Sequence, residues 1–148
     1  IFPATYYAPP RRDRPNHRGM DFKAPEGTPV LATRSGTISR VNWKQRANGR
    51  CIELSLPDGT KAKYLHLSSV KVRPGQKVTA GQRIGLSGNT GRTTAPHLHY
   101  QLENGRRVID PVNYHRITQR SVSAGDMDAF QNDVARLDAL LGNAMARR

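Results

Sequence analysis

With 148 residues and a net charge of +13, the chain has the size of one domain and a surface suited to an anionic partner. Hydrophobic residues make up 36%, enough for one modest core, and no run of about 18 apolar residues is present to span a membrane. The single cysteine, Cys51, rules out an internal disulfide and a cysteine-rich zinc site, so any metal must sit on histidine and carboxylate ligands.

Residues 1–16 are rich in Pro, Arg and Tyr and read as an irregular lead-in. The chain opens on Ile1 rather than Met and shows no signal peptide, as expected of a processed or excised piece of a longer protein. From residue 17 to 115, short apolar runs alternate with turn signals such as Pro25-Glu26-Gly27, Asn48-Gly49, Pro57-Asp58-Gly59 and Pro74-Gly75. The β-prone pieces between them are Pro29–Thr33, Thr37–Trp43, Cys51–Leu56, Lys61–Leu65, Arg83–Ser87 and Leu98–Leu102. This pattern predicts a mainly β domain with a compact, mostly antiparallel sheet core and turn-rich loops. Cys51 lies in the apolar-leaning run Cys51–Leu54 and is expected to be a buried, inert thiol. Residues 116–148 form an extension. Met127, Phe130, Val134, Leu137 and Leu141 recur there at spacings of three and four, predicting a C-terminal α-helix over about 124–141.

Four of the five histidines fall in suggestive places. His97 and His99 flank Leu98, and strand residues two apart share a face, with Cα atoms roughly 6–7 Å apart. Leu98 can then face the core while one imidazole binds a metal and the other reaches toward the reacting water; two surface histidines that happen to alternate would give the same pattern. His17 and Asp21 offer a nitrogen and a carboxylate oxygen, both suited to zinc, with Gly19 between them to let the chain bend. Taken alone, that pair also fits a turn with a surface ion pair. Three ligands and an open position would make a catalytic rather than a structural zinc site. No His-Glu-x-x-His helix supplies a glutamate base, so the remaining histidines are the natural substitutes.

His17-Arg18-Gly19-Met20-Asp21-Phe22, Tyr64-Leu65-His66-Leu67, and Ser87-Gly88-Asn89-Thr90-Gly91 leading to Pro96-His97-Leu98-His99-Tyr100 resemble, in order and spacing, the lysostaphin/LytM-type zinc metallopeptidases. Val72–Val78, Gly81–Gly85 and Ala24–Val30 resemble the same family, so the likeness covers about residues 11–115. The resemblance implies a zinc-dependent endopeptidase that hydrolyses peptide cross-links of bacterial peptidoglycan. It implies one zinc ion per chain on His17, Asp21 and His99, with His66 and His97 as the catalytic pair. The polar loop before the catalytic strand, with Asn89, Thr90 and Thr93, is expected to contact substrate. His115 has no role to transfer and reads as structural or solvent-facing.

Asp110-Pro111-Val112-Asn113 and the stretch around Ser123–Phe130 resemble Gram-negative murein DD-endopeptidases. That favours D-alanyl–diaminopimelate bonds over the glycine bridges cut by the lysostaphin branch. The implied setting is the periplasm, the cell envelope or the exterior, beside an anionic envelope surface, with a regulatory protein or a further N-terminal domain as a possible partner. A carrier module of the biotin or lipoyl kind needs a modifiable lysine beside methionine at a hairpin tip, and none is found. A nucleic-acid binder has only the charge in its favour, because the few aromatics do not interleave with the basic residues. A non-catalytic wall-binding or regulatory module remains as the alternative of a different class.

Overall fold

The computed structural model describes residues 18–116. The expected lead-in over 1–16, the candidate ligand His17 and the expected helix over about 124–141 lie outside them. Ten strands follow in chain order: β1 (Met20–Lys23), β2 (Pro29–Leu31), β3 (Gly36–Val41), β4 (Arg50–Ser55), β5 (Lys61–Leu67), β6 (Ser69–Val70), β7 (Lys77–Val78), β8 (Arg83–Leu86), β9 (His97–Asn104) and β10 (Arg107–Ile109). Two short helices, α1 (Gln45–Asn48) and α2 (Pro111–His115), lie between β3 and β4 and after β10.

All the strand pairings are antiparallel. The larger sheet runs β1-β9-β5-β4-β3-β7, and β10 pairs with the far end of β9; the smaller sheet runs β2-β8-β6. The two sheets enclose one core that includes Val30, Ile38, Ile52, Leu54, Tyr64, Leu67, Ile84, Leu98, Tyr100 and Leu102. The hydroxyls of Tyr64 and Tyr100 both meet Thr33 Oγ1, at 2.8 and 2.9 Å, so the two largest polar tips in the core are satisfied.

The other face of the large sheet is polar but well covered. On β9, Leu98, Tyr100 and Leu102 point to the core, and His97, His99, Gln101 and Glu103 alternate with them. On β4, Glu53 is 1% exposed, with Arg40 Nη2 at 2.7 Å and Lys61 Nζ at 3.5 Å. Burial alone would raise its pKa, but hydrogen bonds from Arg40 and Ser39 and the Arg40 and Lys61 charges hold the carboxyl below its usual range. The long basic side chains lie over this face and keep their heads near water.

Each β-prone run read from the sequence overlaps a strand. Four other strands escape that reading: β1, β6, β7 and β10 are two to four residues long. Asn48-Gly49 is not a tight hairpin turn. Asn48 ends α1, and Gly49 takes φ +63° as it enters β4. Cys51 is fully buried, and burial pushes its thiol pKa up, in keeping with an inert side chain.

Candidate active site

Three neighbouring strands bring Asp21, His66, His97 and His99 together. Asp21 on β1 is the Cα partner of His99 on β9, and Leu65 on β5 is the partner of His99 on the other side. His97 lies two residues before His99 on the same face, and Leu98 between them is buried in the core. Beyond Leu65, the β4–β5 register shifts between Arg50 and Ile52, so that Leu65 and His66 form a bulge opposite Cys51. His66 has φ +63°, a conformation that costs a histidine energy and persists where surrounding structure imposes it. The bulge turns its ring beside His97, with centroids 4.8 Å apart, and toward His99, at 6.1 Å.

Asp21 Oδ1 stands 2.8 Å from His99 Nδ1 and 3.7 Å from His97 Nε2. Gly19 sits at a bend and allows a close approach: a Cβ there would lie 2.5 Å from the Tyr100 carbonyl oxygen and 2.6 Å from His99 Nε2. The ring partners divide the histidines. His66 Nδ1 lies 2.9 Å from the Thr90 carbonyl oxygen, and His97 Nδ1 lies 2.7 Å from that of Ala95. A carbonyl only accepts, so each ring presents an N–H at Nδ1. Burial lowers the His66 pKa; the Thr90 bond works against this, and the nearby His97 and His99 add to it. His66 is therefore neutral at pH 7, as a proton acceptor must be.

Asp21 and His99 offer one carboxylate oxygen and one imidazole nitrogen to a common point, a donor set that suits zinc. Among the described residues no group of three or more metal-binding side chains is complete, and the third expected donor, His17, is outside them. The residues present thus fit a zinc ion without completing its shell.

The histidines and Asp21 line a cleft of about 470 Å³. Arg18, Arg92, Thr93 and Thr94 also line it. Of the loop residues expected to contact substrate, Thr93 faces the cleft and its hydroxyl lies 3.0 Å from His97 Nδ1. Thr90 is turned into the fold: its hydroxyl donates to the Leu67 carbonyl at 2.7 Å and accepts from the Arg50 N–H at 2.9 Å. Asn89 is exposed and is not among the lining residues. His115 lies apart from the cleft, with Nε2 2.9 Å from the Tyr100 hydroxyl. Sequence reasoning missed the parts that Thr90 and Ala95 play, because backbone carbonyls leave no residue-type signal.

The model of peptidase family M23 matches residues 15–111 of the chain. Peptidoglycan DD-endopeptidase ShyA of Vibrio cholerae is 39% identical over 125 residues, which cover 84% of this chain and 29% of ShyA. Glycyl-glycine endopeptidase ALE-1 of Staphylococcus capitis is 47% identical over 87 residues, covering 58% of this chain and 24% of ALE-1. The chain thus spans less than a third of these relatives. The solved catalytic domain of lysostaphin, an antimicrobial peptidase from Staphylococcus simulans, superposes with a TM-score of 0.66 at 38% identity, covering 77% of this chain and 90% of that domain. It shares the mostly antiparallel β architecture described above.

Proposed function

The chain belongs to peptidase family M23, and from that premise we propose that it is a zinc-dependent endopeptidase acting on the peptide cross-links of bacterial peptidoglycan. The observation that carries this reading is the convergence of Asp21, His99, His97 and His66 on one cleft, with Nδ1 of His66 and of His97 tied to backbone carbonyls.

His17, Asp21 and His99 would hold one zinc ion. When bound, the metal supplies Lewis acidity, polarising water and the scissile carbonyl. His66, neutral and with Nε2 open, takes the proton of the attacking water. His97, with Nδ1 anchored on the Ala95 carbonyl, presents Nε2 to orient that water. Once protonated, either ring donates a hydrogen bond to the developing oxyanion and returns the proton to the leaving amine. The rings sit 4.8 Å apart, so one substrate carbonyl can address both.

For the bond cut, we favour the D-alanyl–diaminopimelate cross-link. Its stem peptides carry free carboxylates, and Arg18 and Arg92 border the cleft without a carboxylate partner among the described residues. A glycine bridge has no side-chain carboxylate to meet them, although the likeness to ALE-1 keeps that substrate as the alternative. The net charge of +13 suits the anionic envelope, and the implied location is the periplasm or cell surface. The experiment is to incubate the protein with diaminopimelate-type sacculi and, separately, with pentaglycine-bridged walls. Conversion of cross-linked dimers to monomers only in the first is expected; cleavage confined to glycine bridges would overturn the preference.

A further inference from the structure

The polar row on β9 continues past the cleft, and its next members have no part in the chemistry above. Gln101 is 8% exposed, lines the inner end of the cleft, and lies two residues beyond His99 on the same face. We propose that Gln101 is a positioning residue that holds the proton of His99 on Nε2 and so presents Nδ1 to the metal, with Glu103 and Lys63 fixing Gln101 in turn. This inference rests on the zinc reading given above.

A glutamine amide has a donating end and an accepting end, and its neighbours decide which faces which way. Gln101 Nε2 donates to Glu103 Oε1. A carboxylate only accepts, so the amide cannot be reversed without setting two acceptors against each other. Glu103 is held in place by Lys63, which hydrogen-bonds its other oxygen, and Lys63 also lies 3.9 Å from the buried Glu53. Gln101 Oε1 is thereby turned to His99 Nε2, at 3.3 Å. A carbonyl oxygen facing that nitrogen requires an N–H on it.

Gly19 acts on the same ring edge. Its backbone lies against that edge: a Cβ there would stand 2.6 Å from His99 Nε2. The Nδ1 side faces Asp21 at 2.8 Å, a carboxylate that also only accepts, so a metal ion bound there would take the place of the proton between the two. His66 and His97 are arranged the opposite way, with carbonyls on Nδ1 and Nε2 left open. Two rings are thus set as proton acceptors through Nε2 and one as a metal ligand through Nδ1. The acceptor on Nε2 also makes the ring a better ligand, since such outer partners raise its basicity and fix its orientation.

The test uses the full chain and zinc alone. Zinc affinity is measured by chelator competition for three proteins: the unaltered chain, Gln101→Met, and the double exchange Gln101→Glu with Glu103→Gln. Methionine keeps the volume and removes the acceptor; the exchange keeps the charge count and restores an acceptor beside His99. Gln101→Met should weaken zinc binding about 10–100-fold, and the exchange should regain most of that loss. The metal-free proteins should unfold at similar temperatures, which separates positioning from folding. In the zinc-loaded unaltered chain, nitrogen NMR should show the His99 proton on Nε2. Unchanged zinc affinity in Gln101→Met, or zinc bound through Nε2, would overturn this inference alone. No zinc binding by the unaltered chain would overturn both this inference and the zinc reading beneath it.

Discussion

At the scale of single residues, the roles divide by what each ring's Nδ1 faces. His99 turns Nδ1 to Asp21, whereas His66 and His97 tie Nδ1 to backbone carbonyls. His66→Ala and His97→Ala should therefore retain zinc and lose about 10²–10⁴-fold in turnover, the contribution of a positioned acid or base. His99→Ala and Asp21→Ala should lose the metal as well. Metal content after gel filtration, measured beside turnover, separates the two groups. Zinc lost in His97→Ala but kept in His99→Ala would reverse the assignment. The alternation of His97 and His99 was legible in the sequence because strand geometry alone puts them on one face. The place of His66 was not, because it depends on a bulge and a positive φ that only strand pairing reveals. The part played by Gln101 was hidden for a different reason: a buried glutamine on the face opposite the core looks like any polar strand residue.

At the scale of elements, the loop before β9 works from behind the cleft. Thr90 bonds Leu67 and Arg50 through its hydroxyl, and its carbonyl holds His66 Nδ1. Thr90→Val should lower stability by about 1 kcal/mol for the lost hydrogen bonds. It should also reduce turnover more than it changes KM or zinc content, because the carbonyl that anchors His66 is no longer held in place by the hydroxyl's bonds. Kinetics with a soluble cross-linked peptide, compared with metal analysis, check this; a change in KM alone would mean that Thr90 contacts substrate. Near α2, His115 joins the Tyr100 hydroxyl, and burial together with the Arg34 charge lowers its pKa below the ordinary 6.5. In the window between the folded pKa and about 6.5, the folded chain binds fewer protons than the unfolded one. The stability His115 contributes is therefore present above that window and lost as pH falls through it. His115→Gln keeps a hydrogen-bonding group and should flatten the decline of melting temperature with acid; an unchanged slope would remove His115 as a contributor. The long runs behind β4, β5 and β9 were readable because β-prone residues fill them. β1 was not, since Met20–Lys23 is four residues held in place by pairing with β9, far away in sequence.

At the scale of the whole molecule, charge and chemistry separate. The excess of Lys and Arg gives a net +13, whereas the proposed reacting groups are imidazoles and one carboxylate. Binding to intact cell walls should weaken steeply with salt, because exposed charges are screened beyond about 8 Å at physiological ionic strength. Turnover of a small soluble peptide should change far less; equal salt sensitivity in both assays would place the charge in the reaction itself. The central claim is that zinc, held on this β-sheet cleft, is required to open peptidoglycan cross-links. Mass spectrometry of muropeptides from purified sacculi tests it most directly, comparing protein stripped of metal, the same protein given back zinc, and the same protein with His99→Ala. The account predicts loss of cross-linked dimers only with the zinc-restored, unaltered protein. Equal loss with metal-free protein, or no loss with zinc restored, would contradict it.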